Sequence, residues 1–243
     1  MKHSLSPGRV SRGTFLSLGS PWIADLAARA GFDWVLLDLE HGLYTEATLQ
    51  ASLLALRAVS TLAIVRVPSW KEAHQIARVL DQGADGVMIP QIRTAAQARR
   101  AIAAARHLPA GTRGFSRSVP AFGYGLERAE RRPVVMLQVE TPEAVTAADA
   151  LAALEGADAL FVGPADLRRA LEHAPAAFPG YGEILGRIAG AAARHGKQAG
   201  ILVRDPAELS GLRALGYELL ALHSDTGILR EGFADALKAD IPG

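Results

Sequence analysis

The sequence predicts an α/β fold, a single (β/α)8 TIM barrel that occupies residues 1–243 as one domain. Short apolar runs alternate with longer helical patterns, and eight such β-then-α units fit within the 243 residues. The composition is 49% hydrophobic, which is enough for one large core. An open doubly wound sheet is the alternative. It is disfavoured because the turn after the first strand, Leu18-Gly-Ser-Pro-Trp22, lacks the Gly-x-Gly-x-x-Gly of such folds.

The individual elements follow from this alternation. The apolar runs predict strands at 14–18, 34–39, 63–67, 86–89, 134–139, 159–162, 199–202 and 219–222. Capping side chains such as Thr94 and final glycines such as Gly83 mark the ends of the helices. The helices are predicted at 21–30, 45–60, 71–80, 94–106, 142–154, 181–195, 205–215 and 226–238. The stretch 108–133 is interpreted as a long connection, a kind that is usually functional or mobile.

Composition excludes several classes of protein. The net charge of +1 gives no sign of nucleic-acid binding. Because the chain has no Cys, it has no disulfide, no thiol nucleophile and no Cys-based zinc site. The first residues lack the apolar core of a signal peptide, and no apolar run approaches the roughly 18 residues of a membrane span. We therefore expect a soluble cytoplasmic protein that binds neither nucleic acid nor membrane.

Ionisable residues lie at, or shortly after, the carboxyl ends of four of the predicted strands. Desolvating such groups is costly, so their presence at the mouth of a buried strand is typical of a reaction site. In a barrel, the carboxyl ends of all strands meet at one face, where active sites form. The residues at these ends are Asp38, Glu40, His41, Arg66, Glu140 and Asp166.

The two later acids indicate a metal site. Glu140 and Asp166 are predicted to face one cavity from consecutive strands, and two carboxylates with water oxygens suit Mg²⁺ or Mn²⁺. Gln138 lies two residues before Glu140 and therefore on the same face of its strand, where it could hold a metal-bound water or a substrate oxygen. The alternative for each acid is a helix cap or an ion pair with an arginine.

The earlier residues indicate acid–base chemistry and carboxylate binding. Arg66 could grip the carboxylate of a small α-keto acid, or it could form a structural ion pair with Asp38 or Glu40. His41 suits a general base near neutral pH, and Asp38 could orient its ring. Glu40 is ambiguous, since it could serve only to pair with an arginine. His223, after the eighth strand, is a weaker candidate at the same face.

Lysine chemistry is disfavoured by position. A Schiff-base aldolase needs a buried lysine at the carboxyl end of a strand. None of the lysines is predicted at such an end; they are Lys2, Lys71, Lys197 and Lys238.

Four motifs together carry a resemblance to a known family. They are Phe32-Asp-Trp-Val-Leu-Leu-Asp-Leu-Glu-His-Gly42, Val65-Arg-Val-Pro68, Gln138-Val-Glu-Thr141 and Val162-Gly-Pro-Ala-Asp-Leu167. With them, the chain resembles the metal-dependent class II pyruvate aldolases of the 2-dehydro-3-deoxyglucarate aldolase and 2,4-dihydroxyhept-2-ene-1,7-dioate aldolase type. The resemblance extends over nearly the whole chain, including Gly111-Thr-Arg-Gly114 and Ser224-Asp225.

The resemblance implies roles for the strand-end residues. Glu140 and Asp166 would bind Mg²⁺, Mn²⁺ or Co²⁺, with Gln138 beside the metal. Arg66 would bind the pyruvate carboxylate and help to stabilise the enolate. His41 would be the acid–base group.

Further implications concern the substrate pocket and the assembly. Asp38 would support His41, and the motif places Gly163, Pro164 and Ala165 at the substrate. Family members are commonly homohexamers, dimers of trimers that exchange a C-terminal helix. Here we expect a hexamer or trimer, in which the helix after Asp225 could be swapped between subunits.

The implied activity is that of an aldehyde-lyase, a carbon–carbon lyase. It would make or cleave the bond between pyruvate, as a metal-bound enolate, and an aldehyde, typically from 4-hydroxy-2-keto acids. The chain departs from the family pattern at Phe15, in the 115–124 stretch and at Leu222-His223, which leaves the aldehyde open.

Two alternatives remain at this point. One is a related citryl- or malyl-CoA lyase-like enzyme, which would call for a longer chain with a lid and a basic groove. The other is a non-catalytic barrel that binds a keto acid or sugar acid.

Overall fold

Eight parallel strands close into one barrel in sequence order, β1 to β8, in the computed structural model of the chain. The structure describes residue 5 and residues 7–127, 131–173 and 180–238. The strands are Ser11–Leu16, Trp34–Asp38, Leu62–Arg66, Gly86–Ile89, Val134–Val139, Ala159–Val162, Gln198–Val203 and Tyr217–Ser224. The predicted barrel is confirmed, although β1 begins at Ser11 rather than Thr14 and β8 extends from Tyr217 to Ser224. That residues 1–243 form a single domain stays a prediction, because both ends of the chain lie outside the described residues.

Helices α1 to α10 connect the strands. They are Pro21–Arg29, Glu46–Arg57, Ala73–Asp81, Ala95–Ala105, Pro142–Thr146, Ala148–Ala152, Pro164–Glu172, Tyr181–Arg194, Leu209–Ala214 and Asp225–Ala236. The predicted helix at 142–154 is two short helices, α5 and α6. The predicted helix at 205–215 is a 3-10 turn, Pro206–Glu208, followed by α9. The 108–133 connection contains a 3-10 turn, Pro120–Gly125. No described helix is both long and apolar enough to cross a bilayer.

Helix α7 was not predicted from the sequence. Leu167 is its one buried residue, so no apolar stripe marks the helix. The start signal is instead Pro164 in the first turn, directly after Gly163. As a result Asp166, predicted at a strand end, lies in the first turn of a helix.

Large side chains fill the barrel interior. Trp34 is fully buried and meets the Phe161 ring edge-on at 6.0 Å between ring centroids, and Phe15 lies 5.9 Å from the same ring. Glycine makes room for both large rings. A Cβ at Gly13 would lie 2.1 Å from the Trp34 ring, and one at Gly200 would lie 2.4 Å from Phe161. The interior is therefore a packed core that supports the carboxyl-end face from below.

Replacing Gly13 by alanine is expected to destabilise the barrel. The new Cβ would overlap the indole of Trp34, which has no free volume to move into, so we expect a loss of about 1–3 kcal/mol. Thermal denaturation followed by circular dichroism measures this loss. Gly182→Ala is the matched control, since a Cβ there meets nothing within 4 Å and a helical alanine is favourable. Equal melting temperatures for Gly13→Ala and wild type would contradict the packing.

Acids at the amino ends of alternate strands are structural. Asp33 accepts from the backbone N–H of Arg12 at 2.8 Å. Asp85 accepts from that of Ala63 at 2.9 Å, and Asp158 accepts from that of Val135 at 2.8 Å. Each acid thus ties the start of its strand to the preceding strand. The acids at the carboxyl ends have different partners, and those partners define the candidate site.

Candidate active site

Asp38 and Arg66 form the buried centre of the carboxyl-end face. They lie opposite each other on β2 and β3, which places their side chains together. Arg66 Nε donates to Asp38 Oδ1 at 2.9 Å, and Arg66 Nη2 donates to Asp38 Oδ2 at 2.7 Å. The side chains are only 9% and 2% exposed. Such a two-bond pair fixes the plane of the guanidinium. The structural ion pair, an alternative for Arg66 in the sequence, is therefore present.

Arg66 keeps its charge and has donors to spare. Its Nη1 lies 3.1 Å from Glu40 Oε2, so one guanidinium faces two carboxylates. Burial acts most strongly and lowers the pKa of Arg66. Its bond to Asp38 and the charges of Asp38, Glu40 and Glu140 more than offset burial, and the pKa is raised. A guanidinium carries five N–H groups, and Asp38 uses two of them. The remaining ones can bind a substrate carboxylate, while the Phe15 ring lies 5.4 Å from the guanidinium carbon.

His41 lies at the outer edge of this cluster. Its side chain is 66% exposed, and its Nε2 lies 3.8 Å from Glu40 Oε2. Asp38 Oδ1 accepts from the backbone N–H of Glu40 at 3.0 Å and from that of His41 at 3.3 Å. Asp38 therefore holds the turn that carries His41, and it does not touch the ring. The acid beside the ring is Glu40, where the sequence had suggested Asp38.

Glu140 is buried among other acids. Its Oε1 accepts from the backbone N–H of Gln91 at 2.6 Å, and its Oε2 accepts from the side-chain amide of Gln138. The pKa of Glu140 is raised, chiefly by burial and further by the charges of Glu40 and Asp166, while the two hydrogen bonds act in the opposite direction. Negative charge is thus concentrated here, and both hydrogen bonds to Glu140 come from neutral groups.

Asp166 approaches Glu140 from α7. Its side chain is exposed at the first turn of that helix, yet its charge raises the pKa of Glu140. Gly163, just before α7, permits this approach. A Cβ at Gly163 would lie 2.8 Å from Gln138 Nε2 and 2.8 Å from Glu140 Oε2. Pro164 and Ala165 follow in the same first turn, so the motif residues border the acid pair.

The oxygen atoms at this point fit a hard divalent cation. Gln138 Oε1 is buried and has no hydrogen-bond partner within the described chain, an uncommon state for an amide oxygen. It lies on the residue whose amide N–H group binds Glu140, so a buried amide oxygen without a partner is on the side chain next to the Glu140 carboxylate. Mg²⁺ and Mn²⁺ favour such donors, with water or substrate completing the shell. Within the described ranges, no three His, Cys, Asp or Glu residues are grouped for metal binding. The candidate site offers two carboxylates, Glu140 and Asp166, and the charge of Asp166 acts on Glu140.

His223 does not join the cluster. It adopts a left-handed backbone, with φ of 62°, and its Nε2 lies 3.0 Å from Glu231 Oε1 on α10. A Cβ at Gly227 would lie 2.2 Å from His223 Nδ1, so glycine leaves the space for this ring. His223 is therefore held by α10.

Gln91 is the residue at this face that sequence reasoning missed. It follows Pro90 directly after β4, has φ of 57°, and binds both Glu140 and Glu40. The one available signal was its place after a strand end, in the Pro90-Gln91 pair.

Comparison with known proteins identifies the family of the chain. Residues 12–232 match the family model described as HpcH/HpaI aldolase/citrate lyase. A protein of Klebsiella pneumoniae subsp. pneumoniae, named 5-keto-4-deoxy-D-glucarate aldolase, is 36% identical over 248 residues. That alignment covers 98% of this chain and 96% of the relative.

Solved structures give the same result. A crystal structure of an HpcH/HpaI aldolase/citrate lyase family protein from Burkholderia cenocepacia J2315 is similar, with a TM-score of 0.87 and 33% identity. The match covers 95% of this chain and 94% of that one. An HpcH/HpaI aldolase from Desulfitobacterium hafniense DCB-2 matches with a TM-score of 0.86 and 28% identity, over 97% and 95% of the two chains. The resemblance stated from the motifs is confirmed. The chain belongs to the HpcH/HpaI aldolase/citrate lyase family.

Proposed function

We propose that this chain is a class II, divalent-metal-dependent aldolase that makes or cleaves the bond between pyruvate and an aldehyde. One observation carries the proposal: the crowded acids Glu140 and Asp166 lie on the same barrel face as Arg66, whose guanidinium keeps spare donors. The two acids complement a cation, and the guanidinium complements a carboxylate. A 2-keto acid presents a carboxylate beside a keto oxygen, so it can contact the cation and the guanidinium together. The named Klebsiella relative makes 5-keto-4-deoxy-D-glucarate the first 4-hydroxy-2-keto acid to test.

The metal would be held by Glu140 and Asp166, with Gln138 Oε1 as a neighbouring oxygen. Mg²⁺, Mn²⁺ or Co²⁺ all accept such a donor set. When bound, a divalent cation supplies Lewis-acid stabilisation of the negative charge that develops on the substrate. Gly163 lets the start of α7 lie directly against the Gln138 and Glu140 side chains.

Arg66 would orient the substrate by its carboxylate. Asp38 fixes the guanidinium plane, so the remaining N–H groups point in set directions. Pro164 and Ala165 begin α7, and the first-turn N–H of Ala165 has no partner within a helix, so it is available to a substrate oxygen. These contacts would hold the 2-keto acid with its reacting carbon toward the open side of the barrel.

His41 would move the proton. In the cleavage direction, His41 takes the proton of the 4-hydroxyl group while the C3–C4 bond breaks. The electron pair of that bond passes to the pyruvate carbon, the aldehyde leaves, and the carbon then takes up a proton. Glu40 Oε2, 3.8 Å from His41 Nε2, would lie beside the imidazolium that forms in this step.

The proposal includes a homo-oligomer, a hexamer or a trimer, that acts in the cytoplasm. Helix α10 supports the assembly, because it exposes Ile228 and Phe233, and the exposed Leu237 follows directly after it. Exposed Trp22 and Leu26 on α1 add further apolar area. Exchange of α10 between subunits would bury these side chains.

Metal-dependent exchange of the pyruvate methyl protons in D₂O tests the function. We expect exchange with added Mn²⁺ or Mg²⁺, its loss with EDTA, and a decrease of about 10²–10⁴-fold in His41→Ala, since general acid–base catalysis contributes that much. NMR follows the exchange. His74→Ala is the matched control, because His74 is an exposed histidine on α3.

Other outcomes favour the alternatives. A wild type that binds pyruvate and metal but never exchanges protons would support a non-catalytic binding barrel. No exchange with pyruvate, together with exchange on an acyl-CoA, would move the function to a CoA-ester lyase.

A further inference from the structure

We propose that Gln91 is a positioning residue for this site, linking the acid that would hold the metal to the acid beside His41. The inference rests on the proposed function for its catalytic consequence, and its structural part stands on the contacts alone. Gln91 follows Pro90 at the carboxyl end of β4. Its φ of 57° lies in the left-handed region, which side chains other than glycine rarely adopt.

Two hydrogen bonds leave Gln91 in different directions. Its backbone N–H donates to Glu140 Oε1 at 2.6 Å. Its side-chain Nε2 donates to Glu40 Oε1 at 2.9 Å. Among the described residues, three besides glycine have a positive φ, and Gln91 is the one bonded to these acids; the others are Tyr124 and His223. Strained backbone of this kind is concentrated at functional sites.

The second bond sets the direction of Glu40. With Oε1 held by Gln91, Glu40 Oε2 lies 3.1 Å from Arg66 Nη1 and 3.8 Å from His41 Nε2. Oε2 is buried and accepts no well-formed hydrogen bond within the described chain. The hydrogen bond from Gln91 to Oε1 is therefore what holds the Glu40 carboxylate in this orientation. Gln91 thus aims one carboxylate at both the substrate-binding arginine and the acid–base histidine.

The amide suits this position for an electrostatic reason. Glu40 and Glu140 are both acids, and the charge of Glu40 acts on Glu140. An amide and a backbone N–H hold both acids without adding charge. A lysine here would neutralise the acids that a cation needs, and a carboxylate would repel them.

Packing does not account for Gln91, because its side chain is exposed. If only the turn shape mattered, glycine would adopt this φ at no steric cost. The chain instead carries a strained residue whose amide is hydrogen-bonded.

Substitution separates the two bonds. Gln91→Ala and Gln91→Gly both remove the amide but keep the backbone N–H, and the glycine variant also removes the strain. We expect both to lower the exchange rate with pyruvate about tenfold, the effect of losing one hydrogen bond to a charged group, while the Mn²⁺ dissociation constant changes less than about threefold. Arg93→Ala, an exposed residue on the same connection, is the control.

A double-mutant cycle identifies the route. If Gln91 acts through Glu40, Gln91→Ala has no further effect in a Glu40→Gln background, and the two changes are not additive. Full additivity would overturn the proposal. A Gln91→Gly variant that keeps the wild-type rate would also overturn it. This variant lacks the side-chain amide, so the amide would not be needed for the rate, and any loss in Gln91→Ala would come from the backbone.

A crystal structure of Gln91→Ala separates this inference from the proposed function. We expect Glu40 to turn and its contact with Arg66 Nη1 to be lost. An unmoved Glu40 would overturn the positioning role even if the enzyme is active. If the wild type shows no proton exchange, the aldolase proposal is wrong. The position of Glu40 in the Gln91→Ala crystal structure would still test the positioning role of Gln91.

Discussion

Replacing Arg66 by alanine is expected to abolish proton exchange and to lower the melting temperature by about 10 °C. The loss leaves Asp38 and Glu40, only 2% and 7% exposed, without their buried cation. Breaking such a pair typically costs about 3–5 kcal/mol, and for a chain of this size each kcal/mol shifts the melting temperature by roughly 2–4 °C. Calorimetry measures the stability, and NMR measures the exchange.

Two controls separate the roles of Arg66. Arg66→Lys keeps the charge but not the two parallel bonds to Asp38, so we expect part of the stability to return while exchange stays at least about 100-fold below wild type. Arg93→Ala breaks an exposed ion pair with Glu143 and should change stability by less than about 1 kcal/mol. An Arg66→Ala variant with the melting temperature of the wild type would show that Arg66 is not needed to stabilise the buried Asp38 and Glu40.

The barrel and the grouping of the candidate site residues at one face could be predicted because both follow from local patterns. Apolar runs such as Trp34–Asp38 and Leu62–Arg66 mark buried strands wherever they lie, and the residue at the end of each run reaches one shared face. Asp38 and Arg66 come together for this reason alone, since parallel register places them side by side. Helix α7 was missed because a helix with one buried residue has no apolar period to detect.

The partners within the site could not be predicted, because they depend on backbone rotation. Asp38 was expected to orient the His41 ring, three residues away. In the structure the turn directs the backbone N–H of His41 to Asp38 and leaves Glu40 beside the ring. The contacts of Gln91 were even harder to predict from the sequence. Only its left-handed φ and the convergence of β2, β4 and β5 bring it to Glu40 and Glu140, and no spacing in the sequence indicates that convergence.

Glu140→Gln is expected to abolish metal-dependent activity while raising the stability of the metal-free protein. The amide cannot bind a divalent cation as a carboxylate does, and Lewis-acid stabilisation is worth several kcal/mol, so exchange should fall about 10³-fold. The same change removes a buried charge that Glu40 and Asp166 repel. We expect a gain of about 1 kcal/mol in EDTA, seen as a melting temperature roughly 2–4 °C higher.

The pH dependence of this gain identifies its cause. Burial and neighbouring acids raise the pKa of Glu140 in the folded state above the ordinary value of 4.5. At pH values between that ordinary value and the raised one, the folded protein therefore holds a proton that the unfolded chain has released, so stability is lost as pH rises through this window. Wild type and Glu140→Gln should have equal melting temperatures at low pH, and the variant should have the higher melting temperature toward neutral pH. Adding Mn²⁺ should make the wild type the more stable of the two, because the cation stabilises only the protein that binds it.

A Glu140→Gln variant less stable than wild type in EDTA at neutral pH would mean that the hydrogen bonds from Gln91 and Gln138 outweigh the repulsion. The acid cluster would then be part of the fold rather than a strained site that a cation relieves.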